Sequence, residues 1–313
     1  MERFHMRIWL SLLAKKGSSI CLSLACRRLL KQTLINFCKQ LHLQLTSKYI
    51  YTLLIFLFIS ITKYQNFVFS IHVILTLQIK VPYIELKCRL LGKAKLQSVQ
   101  LYLFGPKNSH TLVKELKAER HSVGGCGGLI GRKKGAVAIR INYDDIKMVF
   151  ISCHLSAHAK KVDQRNTELK HIANSLLPRE KRKRDLTVWL GDLNYRIQDA
   201  SNRPVRSLIQ NHLQSVLVSK DQLLQEAERG EIFKGYSEGT LGFKPTYKYN
   251  VGSSDYDTSH KIRVPAWTDR ILFKIQNTDN IQATLHSYDS IDQVYGSDHK
   301  PVKADLCLKW VNN

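Results

Sequence analysis

With 313 residues and 44% hydrophobic content, the chain is long enough to bury a full core, as one large domain or two small ones. Its 48 Lys+Arg against 25 Asp+Glu leave a net charge of +23. That points to an acidic partner: nucleic acid, an anionic membrane or a polyanionic small molecule. Seven scattered cysteines (21, 26, 38, 88, 126, 153 and 307) have neither metal-ligand spacing nor a disulfide pattern. They exclude a disulfide-built scaffold and fit a reduced, intracellular chain.

Residues 1–80 carry 11 Lys+Arg against one acid, yet the remainder stays basic at 37 against 24. Ser11 to Leu30 reads as an amphipathic basic helix or part of an acid-poor transit peptide. Residues 49–79 are apolar in two runs, Tyr49–Ile61 and Phe67–Ile79, around Lys63. Three readings stand there: one poor membrane span, two strands rich in β-branched and aromatic residues, or translated non-coding sequence.

From Leu96 onward strands and helices alternate as in a single domain. Leu96–Phe104 reads as a strand and Ser109–Arg120 as a short helix. The glycine-rich stretch from Gly124 to Gly135 reads as a hairpin turn. Ala136–Asn142 and Lys147–Cys153 are expected to pair, with Asp144-Asp145 as their turn. A helix over Ala159–Leu177 ends at Pro178, and Lys181–Arg184 is a solvated basic run. Thr187–Leu190 is a buried strand, after which Gly191 lets the backbone turn. Helices follow at Asn202–Gln210 and Gln214–Arg229, the second stopped by Gly230.

The turn after Leu190 presents Asp192 and Asn194 at the carboxyl end of a strand, where α/β folds place their chemistry. A carboxylate there can take a proton from water, and an amide two residues on can hold that water or a phosphate oxygen. The same residues also make a plain Asx turn. Asp269 and Arg270, in Pro265-Ala266-Trp267-Thr268-Asp269-Arg270-Ile271-Leu272, can form a charged pair under a site, with Trp267 in the core. In Gly296-Ser297-Asp298-His299-Lys300-Pro301-Val302, Asp298 can accept from one imidazole nitrogen of His299.

In order and at this spacing, the three stretches around Asp192, Asp269 and His299 resemble the inositol polyphosphate 5-phosphatases, the plant type I enzymes most. The resemblance runs from about Leu96 to the end. It implies an α/β fold: a four-layer sandwich of two mixed β-sheets flanked by helices, as in deoxyribonuclease. It also implies magnesium-dependent removal of the 5-phosphate from phosphoinositides or soluble inositol polyphosphates, by water and without a covalent intermediate.

Residue by residue, Asp192 would activate water, and Asn194 and His154 would hold phosphate oxygens. His299, oriented by Asp298, would stabilise phosphoryl charge, and base duty falls to Asp192 or His299. Asp269 would lie beside them. Arg165 and Asn166 resemble the family's Arg-Asn pair near the site. Tyr247, Lys248 and Lys261 stand where the family grips a 4-phosphate, and Arg270 belongs to the same substrate-binding set. Lys133 stands where the family's Gly-x-Asn-Lys-Gly turn has Asn. Lys220-Asp221-Gln222-Leu223 contains the family's Asp-Gln-Leu packing element.

One departure matters. The family's early Asn and its Gln-Glu pair, whose Glu is the main magnesium ligand, are not found, and the acids before Gly124 are Glu2, Glu85, Glu115 and Glu119. The first strands of one sheet are therefore expected to be missing or replaced. Residues 1–80 form an atypical segment, and residues 81–313 the catalytic domain of a monomer that works in the cytoplasm or peripherally on anionic membranes. The competing classes are a 5-phosphatase with an atypical N-terminus, a headgroup-binding relative without turnover, and a nuclease of the same fold. Tyr247, Lys248, Lys261 and the Pro265–Leu272 stretch speak against the nuclease and against a nucleic-acid partner.

Overall fold

The computed structural model describes residues 51–61, 67–77, 88–96, 99–106, 111–123, 134–177, 184–277 and 279–310. The helix expected over Ser11–Leu30, Lys133 with most of the glycine-rich turn, and Glu85 lie outside them.

Two six-stranded mixed sheets make up the frame. The first contains β1 (Tyr51–Ile61), β2 (Phe67–Leu77), β3 (Cys88–Leu96), β4 (Val99–Pro106), β11 (Ile281–Ser290) and β12 (Val302–Trp310), in the order β11-β12-β2-β1-β4-β3. Of the three readings for residues 49–79, the two strands are what the structure has. They pair antiparallel with each other, β1 runs parallel to β4, and β2 pairs with β12. Among the described residues no helix is long and apolar enough to cross a membrane.

The second sheet contains β5 (Val113–Ser122), β6 (Gly135–Tyr143), β7 (Ile146–His154), β8 (Leu186–Asp192), β9 (Ser237–Glu238) and β10 (Asp269–Ile275). Their order is β5-β6-β7-β8-β10-β9. The expected hairpin is present: β6 and β7 pair around Asp144 and Asp145, both at positive φ. The helix expected over Ser109–Arg120 is instead the edge strand β5. Its Lys and Glu residues suit a helix surface equally well, and pairing with β6 decides the matter. Those same charges guard an otherwise exposed sheet edge.

The two sheets face each other across one core. Leu101 and Leu103 of β4 and Val302, Ala304, Leu306 and Leu308 of β12 meet Val137, Ile139, Phe150, Val188 and Leu190 from the second sheet. Alternate residues turn the other way. There, Ala136, Ala138, Val149, Ile151 and Trp189 receive Leu169, Ile172 and Leu176 of helix α1 (Val162–Leu176). Helix α2 (Asn202–Gln210) has the expected bounds. The helix expected over Gln214–Arg229 is broken into a 3-10 segment, Gln214–Lys220, and α3 (Gln222–Glu228). Asp221 sits between them in an extended conformation and caps α3 by accepting from Leu224 N at 3.1 Å.

Candidate active site

Strands β7, β8 and β10 end or begin at one level. His154 pairs with Asp192 in the parallel β7–β8 ladder, and Asp192 pairs with Asp269 in the antiparallel β8–β10 ladder. Directly paired residues share a face of a sheet. An imidazole and two carboxylates therefore stand in one row across three adjacent strands. The row requires Gly191 behind it: φ is +130° there, and a Cβ would lie 2.1 Å from the Cys153 carbonyl oxygen.

Past the end of β8, Asn194 takes a positive φ of 57°, which folds its side chain back onto Asp192. Asn194 Nδ2 donates to Asp192 Oδ2 at 2.8 Å, and its backbone N–H donates to Oδ1 at 3.0 Å. His154 Nε2 lies 3.4 Å from Oδ2. Burial raises the Asp192 pKa, while His299, Lys134 and Arg196 pull it down and Asp269 pushes it further up. Burial holds His154 well below the usual imidazole value, with Lys134 and His299 adding to the effect, so His154 is neutral.

His299 arrives from the other sheet's side, where a bridge to Tyr247 places it. Its Nδ1 donates to Asp269 Oδ2 at 2.7 Å. The same oxygen accepts from Thr246 Oγ1 at 3.0 Å and Thr268 Oγ1 at 2.9 Å. Burial opposes charge on His299, but Asp269, through its charge and hydrogen bond, and Asp192 raise its pKa to about 9. His299 is therefore an imidazolium at neutral pH. Asp269 replaces Asp298 as its orienting partner. Asp298 still adds to the raised His299 pKa through its charge. The Asp298 carboxylate lies 3.9 Å from Lys248 Nζ, and its carbonyl accepts from Tyr249 N.

Side-chain alternation along β10 separates Asp269 from Arg270, so the charged pair expected between them does not form. Arg270 is fully buried and donates to Asp221 Oδ1 at 2.8 Å and to Glu238 Oε1 and Oε2 at 2.7 and 2.6 Å. It ties the frame together from behind and does not face the pocket. Arg165 and Asn166 are likewise buried away from it. Arg165 donates to the carbonyl of His158 at 2.7 Å and to Gln222 Oε1 at 2.7 Å. Asn166 donates to Glu226 Oε2 at 2.7 Å and accepts from Tyr195 OH at 2.6 Å. Both join α1 to α3 and to the turn after β8.

The Tyr247 ring centroid lies 4.6 Å from that of His299, and Arg196 Cζ stands 4.3 Å from the Tyr247 ring centroid. Lys248 is half-buried and Lys261 lies in an exposed turn. Sequence reasoning missed Lys134, Arg196, Thr246 and Thr268. Lys134 Nζ contacts His154 Nε2, and Arg196 Nη2 donates to Asn194 Oδ1 at 2.6 Å. Each stands beside a residue of a quoted motif, and that adjacency was the available signal.

A divalent ion of the magnesium kind needs several oxygen ligands, carboxylates among them. Among the described residues no group of three His, Cys, Asp or Glu side chains is placed to hold one. Asp192 and Asp269 are already hydrogen-bonded as described. Glu115 sits at the far end of β5–β6, opposite Asn142, whereas Gly135 pairs with His154; seven residues of strand separate them, about 23 Å. The described residues do not complete a magnesium site.

A family model described as Endonuclease/Exonuclease/phosphatase family 2 matches residues 31–305. The chain is 97% identical over 224 residues to an Arabidopsis thaliana protein named type IV inositol polyphosphate 5-phosphatase 11, covering 72% of this chain and 67% of that one. That name is type IV, where the motifs resembled type I most. It is 36% identical over 231 residues to the type II inositol 1,4,5-trisphosphate 5-phosphatase of Mus musculus, covering 70% of this chain but 22% of that protein. Among solved structures it is similar to the inositol polyphosphate 5-phosphatase domain of SPsynaptojanin, solved with inositol (1,4)-bisphosphate and a calcium ion. The TM-score is 0.64 at 26% identity, over 88% of this chain and 89% of that one. A Cimex nitrophorin, at 21% identity and a TM-score of 0.58, shares the fold alone. The chain thus belongs to Endonuclease/Exonuclease/phosphatase family 2, among its inositol polyphosphate 5-phosphatases.

Proposed function

We propose that the pocket removes the 5-phosphate of a 4,5-bisphosphorylated inositol, either soluble or as a phosphoinositide headgroup on an anionic membrane, with the chain acting as a monomer. The row His154–Asp192–Asp269 capped by a charged His299 carries this reading. Asp192, with its pKa raised by burial, takes the proton of the attacking water. Asn194 and the neutral His154 hold phosphate oxygens, and the His299 imidazolium, oriented by Asp269, meets charge developing on the phosphoryl group. Lys248 and Lys261 grip the neighbouring 4-phosphate, beside Tyr247. Arg165, Asn166 and Arg270 support the frame and do not touch substrate.

Magnesium is the ion this chemistry implies, and a solved relative holds calcium. Because the sequence offers no Gln-Glu pair of the family's kind, turnover by residues 1–313 is expected to be slow. On this reading residues 1–80 stand in place of the segment that ends in Gln-Glu in the family. The test is phosphate release from inositol 1,4,5-trisphosphate and phosphatidylinositol 4,5-bisphosphate, with magnesium and with EDTA. A chain whose first ~80 residues are exchanged for a family-like segment ending in Gln-Glu should release phosphate at least ~100-fold faster in magnesium, and Asp192→Asn should abolish that gain. Release unaffected by Asp192→Asn would overturn the reading. Brisk magnesium-dependent release by the unexchanged chain would show that a carboxylate outside the described residues holds the ion.

A further inference from the structure

Asn194 lies past the end of β8, beyond the ladders that align His154, Asp192 and Asp269. Two acceptors place its side chain instead. Nδ2 donates to Asp192 Oδ2 at 2.8 Å and to the Leu155 carbonyl at 3.1 Å. Leu155 follows β7, and its N–H donates to the Asp192 carbonyl at 3.0 Å. Where Asn194 stands beside Asp192 therefore depends on where the Leu155–Ser156 peptide sits.

Helix α1 holds that peptide. Glu168 takes both donors of Ser156: Oε2 accepts from the N–H at 2.9 Å and Oε1 from the hydroxyl at 2.5 Å. Gln164 donates to the Ser156 hydroxyl oxygen at 2.9 Å and to Glu168 Oε1 at 3.1 Å. Residues four apart share a helix face, which is how Gln164 and Glu168 reach one serine. Arg165 donates to the Ser156 carbonyl at 3.2 Å. Every polar group of Ser156 is thus held from α1.

Glu168 is buried, and a buried carboxylate is costly unless it is paired and hydrogen-bonded. Its charge acts on both Lys134 and Arg165. A glutamine would be cheaper to bury, but it has one acceptor oxygen. Its NH2 would face a second donor of Ser156. Two acceptors on one planar group are what this grip requires.

We propose that Glu168 is a positioning residue for the hydrolysis: through Ser156 and the Leu155 carbonyl it sets the place of Asn194 beside Asp192. The effect on rate rests on the phosphatase reading given above. The placement of Asn194 is a property of the folded chain and can be tested apart from it.

The experiment uses the full 313-residue chain with two readouts. One is water exchange of the Asn194 side-chain amide by NMR, beside that of the Leu190 backbone amide inside β8. The other is phosphate release from inositol 1,4,5-trisphosphate in magnesium, split into kcat and KM. A mispaired buried donor corresponds to about a tenfold change, so Glu168→Gln should speed Asn194 exchange and lower kcat by ~10-fold each. Leu190 exchange should stay unchanged and KM within about twofold, as for an interaction that serves the transition state. Should Glu168→Gln fail to fold, Ser156→Ala decides: it keeps the N–H bond to Glu168 and should move both readouts the same way by about threefold. Lys170→Met, at the exposed pair with Glu231 on the same helix, should change neither. Asn194 exchange that ignores these changes overturns the proposal. So does exchange that quickens equally at Leu190, which would make Glu168 a support of the whole sheet. Faster Asn194 exchange with kcat unaltered also overturns it, since the placement would not serve the reaction. Release that ignores Asp192→Asn sinks the phosphatase reading instead, and Asn194 exchange alone then decides the placement.

Discussion

His299 owes its charge at neutral pH to nearby carboxylates, Asp269 first, with Asp192 and Asp298 adding to it. Its folded-state pKa is raised from the usual 6.5 to about 9, so the stability it contributes is fully present below pH 6.5 and is lost as pH rises through about 9. Asp269→Asn removes the largest of these contributions. The melting temperature of the unaltered chain should fall between pH 7 and pH 9.5 by more than that of the Asn variant, and an equal fall in both would contradict the pairing. Lys248 and Lys261 act at the same scale. Replacing both by Ala in an active form should cost about 1.5–3 kcal/mol per charged phosphate contact on a 4,5-bisphosphorylated substrate. A substrate lacking the 4-phosphate should be much less affected, as the ratio of kcat/KM values would show. Asp192, Asn194, His154, Asp269 and His299 were legible in the sequence as members of one site. The partner of His299 was not, because Asp269 lies 30 residues earlier in the chain and meets it only once the sheets are folded.

Among the elements, the strands around the site could be read directly. β6, β7 and β8 are apolar, bounded by turn residues, and fall close to their expected bounds. β5 could not be, since Val-Lys-Glu-Leu-Lys-Ala-Glu-Arg satisfies helix propensity while its fate is settled by a neighbour more than ten residues away. The break at Asp221 was hidden for a similar reason. Asp221 leaves the helical path to cap α3 and to meet Arg270, a partner 49 residues further on. Arg270 in turn joins α3 to β9, β10 and, through Glu238 and the Tyr288 hydroxyl, to β11 of the other sheet. Removing it strands two buried carboxylates. Arg270→Met should therefore lower stability by about 3–5 kcal/mol in urea denaturation. A loss under about 1 kcal/mol would mean that the network relaxes around the change.

The whole molecule is a sandwich whose first sheet has β1 and β2 at its centre, between β12 and β4. This was the least legible part of the chain. Their apolar, β-branched content fits a strand as well as a membrane span, and none of the motifs that carried the resemblance falls within residues 49–79, although the family model extends over them. The charge of +23 was the simplest guide to function, since inositol phosphates and phosphoinositide headgroups are anions.

The row across β7, β8 and β10 has a consequence for how the protein fails. His154, Asp192 and Asp269 are aligned by ladder hydrogen bonds at the ends of three adjacent inner strands, and a slip of one residue on any of the three would turn a side chain to the opposite face. Such a site has no loosened form short of losing the sheet itself. Active-site loops elsewhere can open while the core stays intact, but here the local and global openings should be one event. Amide exchange at Cys153, Gly191 and Arg270 should then report the same free energy as complete unfolding. Phosphate binding and the circular dichroism of the sheet should vanish at the same urea concentration, and binding lost well before the sheet would show the alignment to be softer than its register implies.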